Sequence, residues 1–111
     1  MNLPNFRKAV VDSRKLKDYC LNPYHPVGKH KARVFKSALG FQQEDAEILK
    51  EQIIDSLLQA EAERKHEDQF GVRYAVELPV NNKEHKATIV TIWMVPKDDD
   101  KPYLITCYIK T

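Results

Sequence analysis

Between Tyr19 and Gly40 the chain reads YCLNPYHPVGKHKARVFKSALG, and this stretch holds most of the side chains that can do chemistry near neutral pH. His25 lies between Pro23 and Pro26, and each X-Pro step pushes its preceding residue, Asn22 or His25, towards extended or turn geometry. Gly28 then suits a turn that a Cβ would resist. The cations Lys29, Lys31 and Arg33 follow, with His30 among them. An imidazole titrating near neutrality can give or take a proton. An ammonium group beside it can stabilise charge developing on phosphoryl oxygens. Ala32, Phe35, Ala38 and Leu39 recur at helical spacing and Gly40 stands where a C-cap belongs, which predicts a helix over Lys29–Leu39. The turn therefore delivers His25 and the cations to a helix start, where free N–H groups and the dipole favour an anion. A phosphate is the first candidate.

A second set of candidates comes from the last third of the chain. Val72, Tyr74, Val76 and Leu78 alternate with Arg73, Ala75 and Glu77, as in a half-buried strand. Asn81-Asn82, within Val80 to Glu84, reads as a hairpin turn. A second strand over Lys86–Val95 sets Val90, Ile92 and Met94 against Thr91 and Trp93. After a turn at Asp98–Asp100, a third strand over Tyr103–Ile109 sets Tyr103, Ile105, Cys107 and Ile109 against Leu104, Thr106 and Tyr108. If Val90, Ile92, Ile105 and Cys107 face inward, Thr91, Trp93, Thr106 and Tyr108 share the outer face, with Arg73 beside them. Such a face offers hydroxyl donors, a cation and rings on which a base can stack.

The elements that must position these residues can be taken in chain order. Ala9-Val10-Val11 predicts a short edge strand, and Asp12 or Ser13 caps a helix through Leu21 that turns Leu16, Tyr19 and Cys20 inward. The Lys29–Leu39 helix comes next. Gln43 to about Lys65 reads as the longest helix, striped by Ala46, Leu49, Ile53, Leu57 and Ala60, with His66–Phe70 a polar connection. Helices succeeded by an antiparallel meander make one α+β domain over residues 1–111, with helices on one sheet face and the other open.

Composition agrees with a single globular core: 111 residues, 31% charged and 42% hydrophobic, with no apolar run long enough to span a membrane and no signal-peptide pattern at the start. Cys20 and Cys107 lack metal-ligand spacing and read as free thiols. The net charge of +2 conceals an asymmetry. Residues 44–68 hold nine acids against Lys50, Arg64 and Lys65, so that segment carries −6 and the rest +8. A basic face for a polyanion is the consequence this allows, alongside plain solvation of both faces.

The N-P-x-H-P-x-G-x-x-K-A core from Asn22 to Ala32, with Lys15-Leu16, Val34-Phe35 and Leu39-Gly40 around it, resembles a bacterial domain found at the C-terminal tips of large secreted polymorphic toxins. The likeness continues through Gly71-Val72-Arg73-Tyr74, Lys86-Ala87-Thr88, Thr91-Ile92-Trp93 and Pro102–Thr106 with Tyr108, with Cys107 a departure where a plain apolar residue is expected. It implies a toxin module, such as the effector tip of a contact-dependent growth inhibition protein. The module would be delivered from a secreted or cell-surface protein into the target-cell cytoplasm and neutralised by a cognate immunity protein. Such tips are often ribonucleases of the barnase–EndoU–colicin–RelE fold, with tRNA a common target and a host cytosolic factor sometimes required.

The expected activity is metal-independent RNA cleavage without a cofactor. His25, Lys31, Thr91, Thr106 and Tyr108 are the catalytic candidates, and Lys29, His30, Arg33, Arg73 and Trp93 the RNA contacts. His25 would move a proton, Lys31 with Lys29 or Arg33 would stabilise the phosphorane, and the hydroxyls would bond the phosphate. Each has a plainer reading: His25 as a turn residue bonded to backbone, the cations as solvated charges, Trp93 as core. A non-catalytic RNA-binding or protein-interaction module is the main alternative. A metal-dependent nuclease using His25, His30 and the Asp98–Asp100 turn is a weaker one, because no known ligand spacing is matched.

Overall fold

The computed structural model describes every residue, Met1–Thr111. Helix α1 (Ser13–Lys15) runs directly into a π-helical turn (Leu16–Cys20), succeeded by α2 (Lys29–Leu39) and α3 (Ala46–Ser56), the last flanked by 3-10 turns at Gln43–Asp45 and Leu57–Gln59. Four strands complete the chain: β1 (Ala62–Glu67), β2 (Gly71–Asn82), β3 (His85–Pro96) and β4 (Tyr103–Ile109). They form one antiparallel meander in the order β1-β2-β3-β4, so the domain is α+β as its sequence predicts. Helix α2 lies over β3 and β4, and α3 over β2. No helix is long and apolar enough to cross a membrane.

Local chemistry accounts for most boundaries. Asp12 accepts from the Arg14 backbone N–H at the start of α1. Gly40 ends α2 at φ 72, a left-handed conformation that a Cβ disfavours, and its N–H closes on the Lys36 carbonyl. Gln42 and Asp45 form a reciprocal capping box ahead of α3. Ala9–Val11 contributes only a parallel bridge from Val10 to Tyr103, instead of a full strand. The β2–β3 turn is tighter than expected: pairing continues to Asn82–His85, and Lys83 takes the left-handed corner at φ 55.

Two expectations are overturned. Residues Ala62–Glu67 are a strand and not the end of the α3 helix, because edge pairing with β2 satisfies their backbone groups while nearly all their side chains stay in solvent. The sheet also faces the other way. Ile89, Thr91 and Trp93 point at the helices and are fully buried, whereas Val90, Ile92 and Met94 lie half-buried on the open face. Thr91 and Trp93 therefore belong to the core and not to an RNA-binding surface. A bulge explains why β4 breaks strict alternation: Ile92 pairs with Thr106 but Trp93 with Leu104, leaving Ile105 without a counterpart. That extra residue lets Leu104 and Cys107 both face inward.

The core joins Leu16, Phe35, Leu39, Leu49 and Ile53 of the helical layer to Val76, Leu78, Ile89 and Trp93 of the sheet. Its one buried polar side chain is fully bonded. Thr91 Oγ1 donates to the Val76 carbonyl at 2.7 Å and accepts from Trp93 Nε1 at 2.8 Å. Replacing Thr91→Val keeps the shape but strands both partners, so urea denaturation should show a loss of about 1–3 kcal/mol. An unchanged denaturation midpoint would contradict this account of Thr91.

Candidate functional site

Tyr19 is the hub of the site. It sits in the π-helical turn, closed by the Leu21 N–H bonding the Leu16 carbonyl at 2.8 Å. Such turns insert an extra residue into a helix and re-aim the chain beyond it. Gly28 packs so closely on Tyr19 that a Cβ there would collide with the Tyr19 carbonyl oxygen and ring. At φ −77 its backbone is ordinary, so close approach, and not turn conformation, requires glycine. The contact fixes where α2 begins. Helix α2 then carries Lys31 across to β4, where Nζ lies 3.3 Å from the Tyr19 hydroxyl and 3.1 Å from Thr106 Oγ1. The same ammonium lies 4.8 Å from the Tyr19 ring centroid and 5.9 Å from that of Tyr108.

The donors point to an anion. Lys31 has three N–H donors and uses two on hydroxyl oxygens, leaving one free. Tyr19, having accepted from Lys31, keeps its own O–H to donate. At the head of α2 the Lys29 N–H is taken by the His25 carbonyl, while those of His30 and Lys31 have no acceptor. No carboxylate bonds to Lys31. The half-buried ammonium thus sits beside hydroxyl donors with no carboxylate on it.

His25 also packs against Tyr19, ring centroids 4.8 Å apart and planes tilted by 45°. Its Nδ1 accepts from the Val27 and Gly28 backbone N–H groups at 3.0 and 2.9 Å. Both donors aim at a lone pair, so the neutral ring carries its proton on Nε2. His25 is thus a turn-forming residue, with Nε2 the ring nitrogen left for a partner.

The remaining candidates divide. Thr106 of β4 accepts from Lys31, while Tyr108 pairs with Val90 and lines the open sheet face, only its ring coming within 5.9 Å of the ammonium. Lys29 and Arg33 do not join them. Two residues along a helix is about 200° of rotation, so both lie opposite Lys31; they line a groove with Lys17 and Lys36 on the far side of α2. His30 is exposed and unbonded. Arg73 lies on the open face, paired across to Met94 and His66, with β3 between its strand and the β4 site. His25, His30 and Asp98–Asp100 do not converge, and no three His, Cys, Asp or Glu side chains meet anywhere.

Sequence reasoning missed Tyr19 and Cys20, which it read only as inward-facing helix residues; their meeting with Lys31 depends on the π-helical turn. Cys20 Sγ lies 3.8 Å from Thr106 Oγ1, directly behind Lys31. A hydrogen bond from the Cys107 thiol holds the Cys20 thiol down to about 6 against the opposing effect of burial, helped by the Thr106 hydroxyl and the Lys31 charge. Cys107 is pushed up, since it supplies that bond and is itself buried. The two buried thiols are thus shifted in opposite directions, Cys20 towards the thiolate form and Cys107 away from it. With the Cys20 folded-state pKa depressed, its contribution to stability is absent below about pH 6 and grows towards the ordinary thiol value of 9.0. Ultraviolet thiolate absorbance should titrate with a midpoint of about 6, and Lys31→Met should move the midpoint upward. A signal appearing only near the ordinary thiol range would contradict the depressed Cys20 thiol.

No curated protein and no solved structure matches the chain. Over residues 2–111 the sequence matches the family described as Domain of unknown function (DUF6883), and the chain belongs to that family.

Proposed function

We propose that the domain binds RNA and cleaves its phosphodiester bonds without a metal, with the scissile phosphate against Lys31. The observation that carries this reading is the Lys31 ammonium, held by Tyr19 and Thr106 at 3.3 and 3.1 Å with one donor free and no carboxylate on it. In the reaction, the ribose 2′-oxygen attacks phosphorus as its proton passes to water, and the bond to the 5′-oxygen breaks. The products are a 2′,3′-cyclic phosphate and a 5′-hydroxyl. Lys31 and the Tyr19 hydroxyl hold the non-bridging oxygens as negative charge builds, while the exposed Tyr108 hydroxyl protonates the leaving oxygen. His25 serves as a neutral Nε2–H donor to the phosphate, not as the base. Catalysis of this kind rests on charge stabilisation more than on proton abstraction.

The toxin setting, with tRNA as first candidate substrate, an immunity protein and a host activating factor as partners and delivery into a target-cell cytoplasm, comes from the likeness of Asn22–Ala32 to polymorphic toxin tips. A specific observation favours the second reading, a non-catalytic RNA-binding module: the His25 Nδ1 lone pair is committed to two backbone N–H groups.

Incubating the purified domain with bulk tRNA in EDTA separates the two readings. Discrete fragments bearing 2′,3′-cyclic phosphate ends are expected, and Lys31→Met should slow their formation about 100-fold or more, the usual cost of removing one preorganised donor. His25→Asn keeps an acceptor for the Val27 and Gly28 N–H groups while deleting Nε2. It should fold normally and lose activity, whereas His25→Ala should also lose stability. Intact tRNA after prolonged incubation, with retained binding, would leave the non-catalytic module.

A further inference from the structure

The far side of α2 carries a second concavity that the β4-edge site does not use. It measures about 630 Å³ and lies between the π-helical turn, the Asn22–His25 turn and the outer face of α2. Lys29, Arg33 and Lys36 line it from one helical stripe, with Lys17 across from them. At 1.5 Å rise per residue these three stand about 6 Å and about 4.5 Å apart along the axis. A row of this kind can track successive phosphates of an extended strand. Leu21, Ala32 and Phe41 are buried beneath it, and Glu44 is the one acid on its rim. At one end stands Tyr24, 87% exposed, the most open of the chain's large hydrophobic side chains. Its backbone is fixed, since Pro23 and Pro26 flank the turn and the Tyr24 N–H is held by Asn22 Oδ1 at 2.9 Å. The ring is thus presented on a rigid corner without being packed.

We propose that this groove binds a single-stranded segment of RNA, with phosphates along Lys29, Arg33 and Lys36 and a base stacked on Tyr24. Cations in a row supply sequence-independent attraction, and an exposed ring supplies stacking that tolerates any base. An acidic polypeptide would use the cations but has no need of a bare ring on a fixed turn. The open sheet face also has a cation and a ring, Lys65 and Tyr108, but Glu61, Glu63 and Glu77 outnumber the one lysine there and repel a polyanion. This proposal rests on the RNA reading above and extends it: His25 and Tyr24 are adjacent in the same turn, so a strand leaving the Lys31 site past His25 meets Tyr24 next.

The test is fluorescence anisotropy of the full chain with a 12-nucleotide 2′-O-methyl RNA, which cannot undergo 2′ attack, across a range of salt concentrations. Arg33→Ala with Lys36→Ala should weaken binding about tenfold or more and lower the salt slope by about 1.4, the value for two lost phosphate contacts on a single strand. Tyr24→Ala should weaken binding about tenfold with the slope unchanged, and Tyr24→Phe should restore it. Wild-type binding with the groove variants unimpaired overturns the groove while leaving the RNA reading intact. Absence of wild-type binding overturns the RNA reading and the groove with it. Equal competition by polyglutamate of matched charge, indifferent to Tyr24→Ala, assigns the groove to an acidic polypeptide and overturns the proposal.

Discussion

The contact between Tyr19 and Gly28 is the constraint on which the rest of the site depends. No side chain fits between them, so the start of α2 is pinned against the end of the first helix. From that point the helical period decides the rest. Lys31 falls on the side of α2 that faces β4, Ala32 and Phe35 fall into the core, and Lys29 with Arg33 faces away. The Asn22–His25 turn is stitched by its own side chains, Asn22 to Tyr24 N–H and His25 to Val27 and Gly28 N–H. A short sequence therefore sets both the position of an ammonium group and the presentation of two rings.

Behind that surface runs a chain of polar contacts from the interior to solvent. Cys20 Sγ lies by the Thr106 hydroxyl, Thr106 accepts from Lys31, and Lys31 reaches Tyr19. Each link polarises the next, and the low dielectric of the interior strengthens every step. Such an arrangement holds the ammonium in place without neutralising it. The chain's charge asymmetry obeys the same division. The acidic segment supplies α3, β1 and part of the rim of the open sheet face, leaving the region around α2 for polyanions.

Much of this was legible in the sequence, and the failures have physical causes. Helix α2, its Gly40 cap and the α+β plan came from apolar spacing and from Gly and Pro placement. Strand β1 was hidden because Glu63, Arg64, Lys65 and Glu67 lack strand character and continue the charge pattern of α3; only pairing with β2 makes them extended. Alternation in β3 identified which residues share a face but not which face turns inward, since Val90 and Ile92 are as apolar as Ile89. The size of Trp93 decides it. In β4 the bulge at Ile105 breaks the period, which no local composition signals. Of the candidate site, His25 and Lys31 meet at Tyr19, and Thr106 and the Tyr108 ring approach Lys31 from β4. Thr91 and Trp93 are core, Arg73 is on the open face, and Lys29 and Arg33 are on the far side of α2. Grouping Lys29 and Arg33 with Lys31 disregarded a half-turn of helix.

The central claim is that an RNA phosphate sits against Lys31 between Tyr19 and Thr106. Heteronuclear NMR of the lysine ammonium and histidine imidazole nitrogens, titrated with a non-cleavable RNA, addresses it most directly. The Lys31 Nζ and His25 Nε2 signals should shift in step with binding, together with the amides of Tyr19 and Cys20. RNA that binds while these signals stay still, with the changes confined to Val90, Ile92 and Arg73 on the open face, would contradict it.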